Sequence, residues 1–183
     1  MPVYGRHFDR GHLQFITTST YRRNRIFTCQ RFCWTFVDVL RQLRDQTGVR
    51  VNGWVLLPDH FHLLIWPEPP QATVRFMQEL KKRSAQQIIA ALTRNQATPR
   101  WHDLLARLRL PPTVHSDCYY RLWQRRYVPF SVFTNRKHQE KLDYMHNNPV
   151  TARLVSSPDQ WMWSSFRFYY LNDSSVLAMD PVR

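Results

Sequence analysis

Two apolar, β-prone runs lie almost back to back in this chain. Residues 49–57 and residues 60–66 are rich in Val, Leu, Ile, Phe and Trp, and only Pro58 and Asp59 separate them. Because parallel strands need a connection of a dozen or more residues, strands joined by so short a turn pair as an antiparallel hairpin. We therefore expect the fold to contain an antiparallel sheet.

Further strand and helix patterns surround this hairpin. Residues 12–20 include a β-branched run that predicts a strand, and residues 30–46 and 71–92 place apolar side chains at the three- and four-residue spacings of amphipathic helices. Strands interleaved with helices predict an α+β fold, an antiparallel sheet with helices packed on it. The 183 residues are enough for one domain with a buried core, which we expect to span residues 1–183.

The second half of the chain is expected to add one strand and one helix. Residues 119–127 form a candidate fourth strand, which Pro129 would end. Asn135 is expected to cap a third helix that runs to about Asn147 and stops at Pro149.

Two other segments have less regular patterns. Residues 93–118 contain three prolines and predict an insertion or a long functional loop. The tail from about residue 151 carries four aromatic side chains that we expect to pack back on the domain, namely Trp161, Trp163, Phe166 and Phe168.

Arginine dominates the charge of the chain. Lys and Arg together number 26 against 13 Asp and Glu, a formal net charge of +13, and only four of the basic residues are lysines. Guanidinium groups match phosphate geometry and stack on bases, so this excess, with 14% aromatic residues, favours a nucleic-acid partner. A solvated basic surface, a ribosome-associated protein or a protein that binds anionic membranes would also account for the charge alone.

The sequence also restricts the compartment. No apolar run approaches the roughly 20 residues of a membrane-spanning helix, and the first residues do not resemble a signal peptide. The three cysteines are Cys29, Cys33 and Cys118. They are odd in number and form no Cys-x-x-Cys pair, which argues against disulfide bonds and against a structural zinc site. We expect a cytoplasmic protein.

The sharpest candidate for chemistry is the pair His60 and His62. On a strand these two side chains point to one face, while Phe61 points to the other, toward a core. Two imidazoles at this spacing can bind one divalent ion from one side, but a third ligand must come from elsewhere in the chain. The alternative is a pair of hydrogen-bonded or partly exposed histidines at the start of a strand.

A second candidate lies on the predicted third helix. Glu140, Tyr144 and Asn148 are spaced by four residues and so share one helical face. This face offers a tyrosine nucleophile with an oxygen ligand one turn before or after it. The alternative is that Tyr144 is an ordinary core or rim residue and that Asn148 caps the helix before the proline.

Four separated motifs, supported by the segment 17–27, carry a family resemblance. They are WVLLPDHFHLL at 54–64, LWQRRY at 122–127, YMHNNPV at 144–150 and WMWSS at 161–165. In their residues and in their order along the chain, these motifs resemble those of the REP-associated tyrosine transposases. This family is related to the single-tyrosine insertion-sequence transposases within the HUH nucleases. The resemblance covers most of residues 10–170 and implies a ferredoxin-like, RRM-like core.

The resemblance implies a metal site and a nucleophile. It implies that His60 and His62 bind Mg²⁺ or Mn²⁺, with Asn148 as the third ligand and Glu140 as a substitute. It also implies that Tyr144 attacks a DNA phosphate to give a 5′-phosphotyrosine and a free 3′-OH. Tyr127, which lies in a matched motif, is the rival nucleophile.

The implied substrate is a hairpin-forming palindrome with a flanking single-stranded tetranucleotide. Residues 1–10 would help to read that tetranucleotide, and the protein would act near the nucleoid, as a monomer rather than a dimer. One alternative is a hairpin-binding protein with a vestigial nuclease site, and another is a hydrolase that activates water at His60 and His62. Val128-Pro129-Phe130 departs from the acidic residue and histidine found in many relatives, which puts details of DNA contact in doubt.

Basic and aromatic side chains supply candidates for binding DNA. The basic residues would contact phosphates, and Trp123, with Tyr120, would stack on unpaired bases, although packing of Trp123 in the core is an equal alternative. The candidate DNA-binding residues are Arg22, Arg23, Arg25, Lys81, Lys82, Arg83, Arg121, Trp123, Arg125 and Arg126.

Overall fold

A computed structural model describes residues 12–68, 72–95, 97–111 and 119–180. It contains a four-stranded antiparallel sheet in the order β2-β3-β1-β4, with helices on both faces, which confirms the predicted α+β fold. The order of elements is that of a ferredoxin-like split βαβ fold followed by additional helices. The elements are β1 Leu13–Ser19, α1 Gln30–Thr47, β2 Arg50–Leu57, β3 His60–Trp66, α2 Ala72–Arg94, α3 Pro99–Leu108, β4 Val128–Val132, α4 Asn135–Thr151 and α5 Phe166–Leu171.

The hairpin expected from Pro58 and Asp59 is present. Strands β2 and β3 pair antiparallel, with Leu57 opposite His60, and β1 pairs with the other edge of β3. Alternate residues of β3 therefore face opposite sides of the sheet. Phe61 belongs to the larger core beneath α1 and α2, as predicted.

A smaller apolar cluster on the other face holds α4 against the sheet. It includes Val55 of β2 and Leu142 and Met145 of α4. The close packing of α4 on β2 leaves little room for a side chain at Gly53, because a Cβ there would lie 2.7 Å from Leu142 Cδ2 and 2.8 Å from Met145 Cε. Alanine would therefore displace α4 or force these buried side chains to move.

The expected irregular segment 93–118 contains the helix α3. Its buried Leu105 and Leu108 pack against the larger core, so an amphipathic pattern is present between the prolines. Residues 112–118 of the expected loop lie outside the described residues.

The predicted strand at 119–127 is wrong. This segment makes only isolated bridges, between Tyr120 and Arg109 and between Trp123 and Thr20. The fourth strand begins at Val128 and includes Pro129, the residue expected to end it. A proline is tolerated because β4 is an edge strand, where a missing N–H on the outer side costs no ladder bond.

The third helix also differs from its expected ends. Its cap is Thr134 rather than Asn135, since Thr134 Oγ1 accepts a hydrogen bond from the Lys137 backbone N–H at 3.2 Å. The helix continues through Pro149 to Thr151. Pro149 lies in the last turn, where its missing N–H removes a single helical bond.

The C-terminal tail packs back on the domain, as expected, along the free edge of β2. The Leu56 N–H donates to Trp163 O at 2.9 Å, and Trp161 Nε1 donates to Leu56 O at 3.0 Å. Further along, the Val51 N–H donates to the Asp180 carboxylate at 2.7 Å. Within the described residues, no helix is both long and apolar enough to cross a membrane.

Candidate active site

His60 and His62 lie side by side at the start of β3, on the face that carries α4. Their ring centroids are 5.1 Å apart, and both side chains point away from the larger core, as the strand period predicts. The two imidazoles are therefore positioned to face a common ligand.

Neighbouring polar groups fix the orientation of His62. Its Nδ1 lies 2.8 Å from Thr17 Oγ1 on the paired strand β1, and its Nε2 lies 3.1 Å from Asn148 Nδ2 on α4. With the amide donating to Nε2, the ring proton resides on Nδ1 and is donated to Thr17. Burial, with electrostatic contributions from His60, Arg23 and Lys141, lowers the pKa of His62 to about 3, so the ring is neutral and its Nε2 accepts from the Asn148 amide.

His60 is oriented by a carboxylate instead. Its Nδ1 lies 2.7 Å from Asp59 Oδ1, and the other Asp59 oxygen accepts a hydrogen bond from Arg23 Nη1 at 3.2 Å. Partial burial by itself would raise the pKa of Asp59. The opposing effects of His60 and Arg23 outweigh it, so the pKa lies below its usual value and the carboxylate stays ionised. Engagement of Nδ1 leaves Nε2 of His60 to face a ligand.

Tyr144 on α4 stands directly beside His62. Their ring centroids are 5.4 Å apart, and the Tyr144 side chain is 51% exposed, so incoming substrate can reach it. Lys141, one turn earlier, places its Nζ 5.8 Å from the Tyr144 ring, 5.0 Å from Phe15 and 4.7 Å from Phe130. The exposed Tyr144 ring thus neighbours both a neutral imidazole and an ammonium group.

Of the two oxygen ligands considered, the structure brings Asn148 to the histidines. Glu140 is exposed and pairs with Lys137, its carboxylate 2.6 Å from Nζ. Among the described residues no three His, Cys, Asp or Glu side chains are grouped to hold a metal. The group of α4 that reaches His62 is the Asn148 amide. Two imidazole nitrogens and an amide oxygen suit a divalent ion with open positions for substrate.

A family model described as "Transposase IS200 like" matches residues 8–105, more than half of the chain. The chain belongs to this family. The matched region carries β1, the hairpin and both histidines, whereas Tyr144 and Asn148 lie beyond it.

Two relatives add to this assignment. The ISDra2 transposase TnpA of Deinococcus radiodurans is 39% identical over 54 residues, which cover 30% of this chain and only 39% of that protein. A solved REP-associated tyrosine transposase bound to a REP hairpin aligns with a TM-score of 0.67 and 18% identity, covering 100% of this chain and 99% of that one. At this identity the similarity establishes the fold.

In this IS200-like chain the rival nucleophile Tyr127 lies apart from the histidines. It is half-buried and packs against the larger core, on the opposite face of the sheet from His62. Burial raises its pKa, which makes the phenol harder to ionise. The contacts around the histidines involve Tyr144 instead.

The predicted DNA-binding residues differ in how accessible their side chains are to DNA. Trp123 is 4% exposed, and its Nε1 donates to Ser84 Oγ at 3.0 Å, so its prediction as a base-stacking residue is wrong. Lys81 Nζ donates to the carbonyls of Gln124 and Arg125 at 2.7 and 2.9 Å.

Other members of that set keep more exposed charge. Arg83 pairs with Glu79 at 3.0 Å and is partly exposed, as is Arg121. The exposed members are Arg22, Arg23, Arg25, Lys82, Arg125 and Arg126.

Three contributors to the site are not among the residues predicted from the sequence. Thr17 and Phe15 reach His62 only through the pairing register of β1 with β3. Lys141 lies three residues before Tyr144, a helical spacing that could have singled it out.

Proposed function

We propose that this protein is a metal-dependent single-stranded DNA endonuclease and strand transferase that acts on hairpin-forming, REP-like palindromes through a 5′-phosphotyrosine. The observation that carries this proposal is the placement of the exposed Tyr144 5.4 Å from the ring of His62, which also contacts Asn148. Family membership supports DNA as the substrate. A DNA substrate would place the protein at the nucleoid, in the cytoplasm.

His60, His62 and Asn148 would hold Mg²⁺ or Mn²⁺. Such an ion, when bound, neutralises a non-bridging oxygen of the scissile phosphate and makes the phosphorus more electrophilic. Thr17 and Asp59 engage Nδ1 of the two rings, so Nε2 of each ring would point into the space that the ion occupies. Asn148 would turn its amide oxygen, in place of its nitrogen, toward that space.

Tyr144 would supply the nucleophile. Its hydroxyl oxygen forms a bond to phosphorus as the bond from phosphorus to the 3′ oxygen breaks, and the phenol proton is lost while the 3′ oxygen gains one. The phosphodiester energy is retained in the phosphotyrosine, so a 3′-OH can later attack it and restore or transfer the strand without ATP. One tyrosine suffices for one cleavage and its reversal.

The substrate assignment rests on the fold and the charge. The REP-associated relative with the same fold was solved with a REP hairpin, and the net charge of +13 suits a polyanionic ligand. We propose that the substrate includes a flanking tetranucleotide. We also propose that the protein is a monomer and consists of one domain. Residues 1–10, expected to help read the tetranucleotide, lie outside the described residues.

The test is covalent capture of labelled DNA. Hairpins taken from palindromes near the gene, with unpaired flanks and a label at either end, are incubated with protein and Mg²⁺, Mn²⁺ or EDTA. We expect a protein–DNA adduct on a denaturing gel that disappears in EDTA, in Tyr144→Phe and in His62→Ala. Tyr127→Phe, which alters only the rival tyrosine, should leave the adduct unchanged.

Other outcomes would contradict the proposal. Cleavage without an adduct would indicate a hydrolase that uses activated water, and tight binding without cleavage would indicate a hairpin-binding protein with a vestigial site. An adduct that persists in Tyr144→Phe would move the nucleophile elsewhere.

A further inference from the structure

Arginines from two separate segments meet in one open cleft of about 770 Å³. The turn after β1 contributes three of them and α3 contributes two, and one carboxylate lies among them. These residues are Arg22, Arg23, Arg25, Arg100, Arg107 and Asp103. Five guanidinium groups against one carboxylate make the cleft strongly positive, and neither α3 arginine was among the residues expected to bind DNA.

The amphipathic character of α3 places its arginines in the cleft. Leu105 and Leu108 are buried beneath the helix, whereas Arg100 and Arg107 lie seven residues apart on its exposed side. Two helical turns separate them, about 10 Å along the helix axis. The two charges can therefore contact different phosphates of one DNA backbone.

The turn that forms the other wall has a fixed backbone. Arg22 and Arg23 both adopt left-handed φ angles of 55°, a conformation that costs energy for a side chain with a Cβ. Hydrogen bonds hold it: Thr20 Oγ1 donates to Asn24 O at 2.8 Å, and Asn24 Nδ2 donates to Tyr21 O at 2.7 Å. The arginines are thus presented from a defined turn.

The cleft adjoins the candidate active site. Arg23 pairs with Asp59 at 3.2 Å while its side chain stays 63% exposed, and Asp59 orients His60. A phosphate bound in the cleft would therefore lie a short distance from the histidines.

The chemistry of the walls favours duplex backbone over unpaired bases. Among the described residues that line the cleft, none is aromatic, so no ring is available to stack on a base. Two exposed aromatic rings, Phe130 and Phe133, lie instead on and after β4, and Phe130 and Tyr144 both neighbour Lys141. The basic cleft and the aromatic surface are thus two chemically different binding surfaces.

We propose that this arginine cleft binds the backbone phosphates of a DNA duplex, the stem of the hairpin, and so sets the distance between the stem and Tyr144. The proposal rests on DNA as the substrate under the proposed function. It assigns α3 the role of a stem-binding element, independent of base sequence, because guanidinium contacts to phosphates position a duplex without reading it.

The test compares the binding of two labelled oligonucleotides by fluorescence anisotropy. One is a hairpin of arbitrary sequence with a stem of at least one helical turn and an unpaired flank, and the other is an unpaired strand of the same length. The variants are the double substitution Arg100→Gln with Arg107→Gln, the charge-preserving Arg100→Lys with Arg107→Lys, and Arg75→Gln, an exposed arginine of α2 outside the cleft. Thermal unfolding of each variant confirms that it is folded.

We expect the Gln double variant to lose hairpin affinity selectively. Removing two phosphate contacts lowers the slope of log affinity against log salt by about 1.8, so the loss of affinity between about 50 and 200 mM salt becomes about tenfold smaller. The Lys variant should retain most of that slope, and Arg75→Gln should match the wild type. Binding of the unpaired strand should change less than twofold in all three.

Two results would overturn the proposal. One is an unchanged hairpin affinity and salt slope in the Gln double variant, and the other is an equal loss of affinity for hairpin and unpaired strand. Adduct formation by the wild type is measured separately on the hairpins from palindromes near the gene that test the proposed function. If no adduct forms, the proposed function fails, while the binding comparison still decides whether the cleft holds a duplex.

Discussion

Each histidine at the start of β3 has one ring nitrogen engaged by an oxygen from a neighbouring residue. Thr17 engages Nδ1 of His62 at 2.8 Å, and Asp59 engages Nδ1 of His60 at 2.7 Å. Partners of this kind fix the orientation of a metal-binding imidazole, and their loss costs about 10- to 100-fold in metal affinity. The site therefore depends on residues outside the His-x-His motif itself.

Replacement of Thr17 tests this dependence. Thr17→Val keeps the shape of the side chain but removes the oxygen, so we expect Mn²⁺ to bind about tenfold more weakly, as measured by isothermal titration calorimetry. Thr18→Val is the matched control, since its buried hydroxyl has no hydrogen-bond partner among the described residues and faces the other side of the sheet. Equal affinities of wild type and Thr17→Val would contradict the assigned role.

Lys141 is expected to contribute positive charge where Tyr144 meets the phosphate. Lys141→Met keeps a long unbranched side chain but removes the ammonium group that lies against the Phe15 and Phe130 rings, so adduct formation should slow by about tenfold or more. Lys137→Met provides the control, because Lys137 pairs with Glu140 on the same helix. Equal single-turnover rates for the two variants would show that the Lys141 charge is not used.

At the level of elements, the packing of α4 on β2 positions Tyr144 and Asn148. Gly53→Ala would place a Cβ within 2.8 Å of Met145 Cε and still closer to Leu142. We expect the free energy of unfolding in urea to fall by about 1–3 kcal/mol and adduct formation to slow at least tenfold, because small displacements of reacting groups are costly.

A variant of a second glycine distinguishes the effect of lower stability from the effect of a displaced α4. Gly48 ends α1 with a left-handed φ of 68°, so Gly48→Ala should destabilise the fold by about 1 kcal/mol. It should leave the adduct rate of the folded protein unchanged. If both glycine variants slow the reaction equally, α4 placement is not the cause.

The sequence predicted elements well where a periodic pattern ran uninterrupted, as in the hairpin and α1. It failed at β4, because Pro129 is compatible with a strand only at a sheet edge, and edge position is a tertiary property. Likewise the contact of Thr17 with His62 depends on the pairing register of β1 with β3, which no local pattern around Thr17 encodes. The His-x-His face and the helical spacing of Tyr144 and Asn148 were predictable because each lies within one element.

At the scale of the whole molecule, the tail completes the sheet by covering the edge of β2. The Asp180 carboxylate accepts the Val51 N–H at 2.7 Å, and the Asp180 N–H donates to Val51 O at 2.9 Å. Asp180→Ala should lower the free energy of unfolding by about 1–3 kcal/mol, because a buried donor loses its charged acceptor. Asp159→Ala, at an exposed turn, should change it by less than about 0.5 kcal/mol, and an equal effect would contradict this account.

The net charge predicted a nucleic-acid partner but not where DNA would bind. The arginine cleft forms only when α3 packs near the turn after β1, and the pair of Arg23 with Asp59 links this cleft to the candidate active site. Position along the chain could not indicate this arrangement, since Arg22 and Arg107 of the cleft lie 85 residues apart.

The most direct measurement is to identify the residue that carries the DNA. The adduct is trimmed with nuclease, digested with trypsin and analysed by mass spectrometry, and the two rival tyrosines fall on different peptides, residues 142–153 and 127–136. The account predicts a nucleotide remnant on Tyr144 in the peptide LDYMHNNPVTAR. A remnant on Tyr127, or on any residue other than Tyr144, would contradict it.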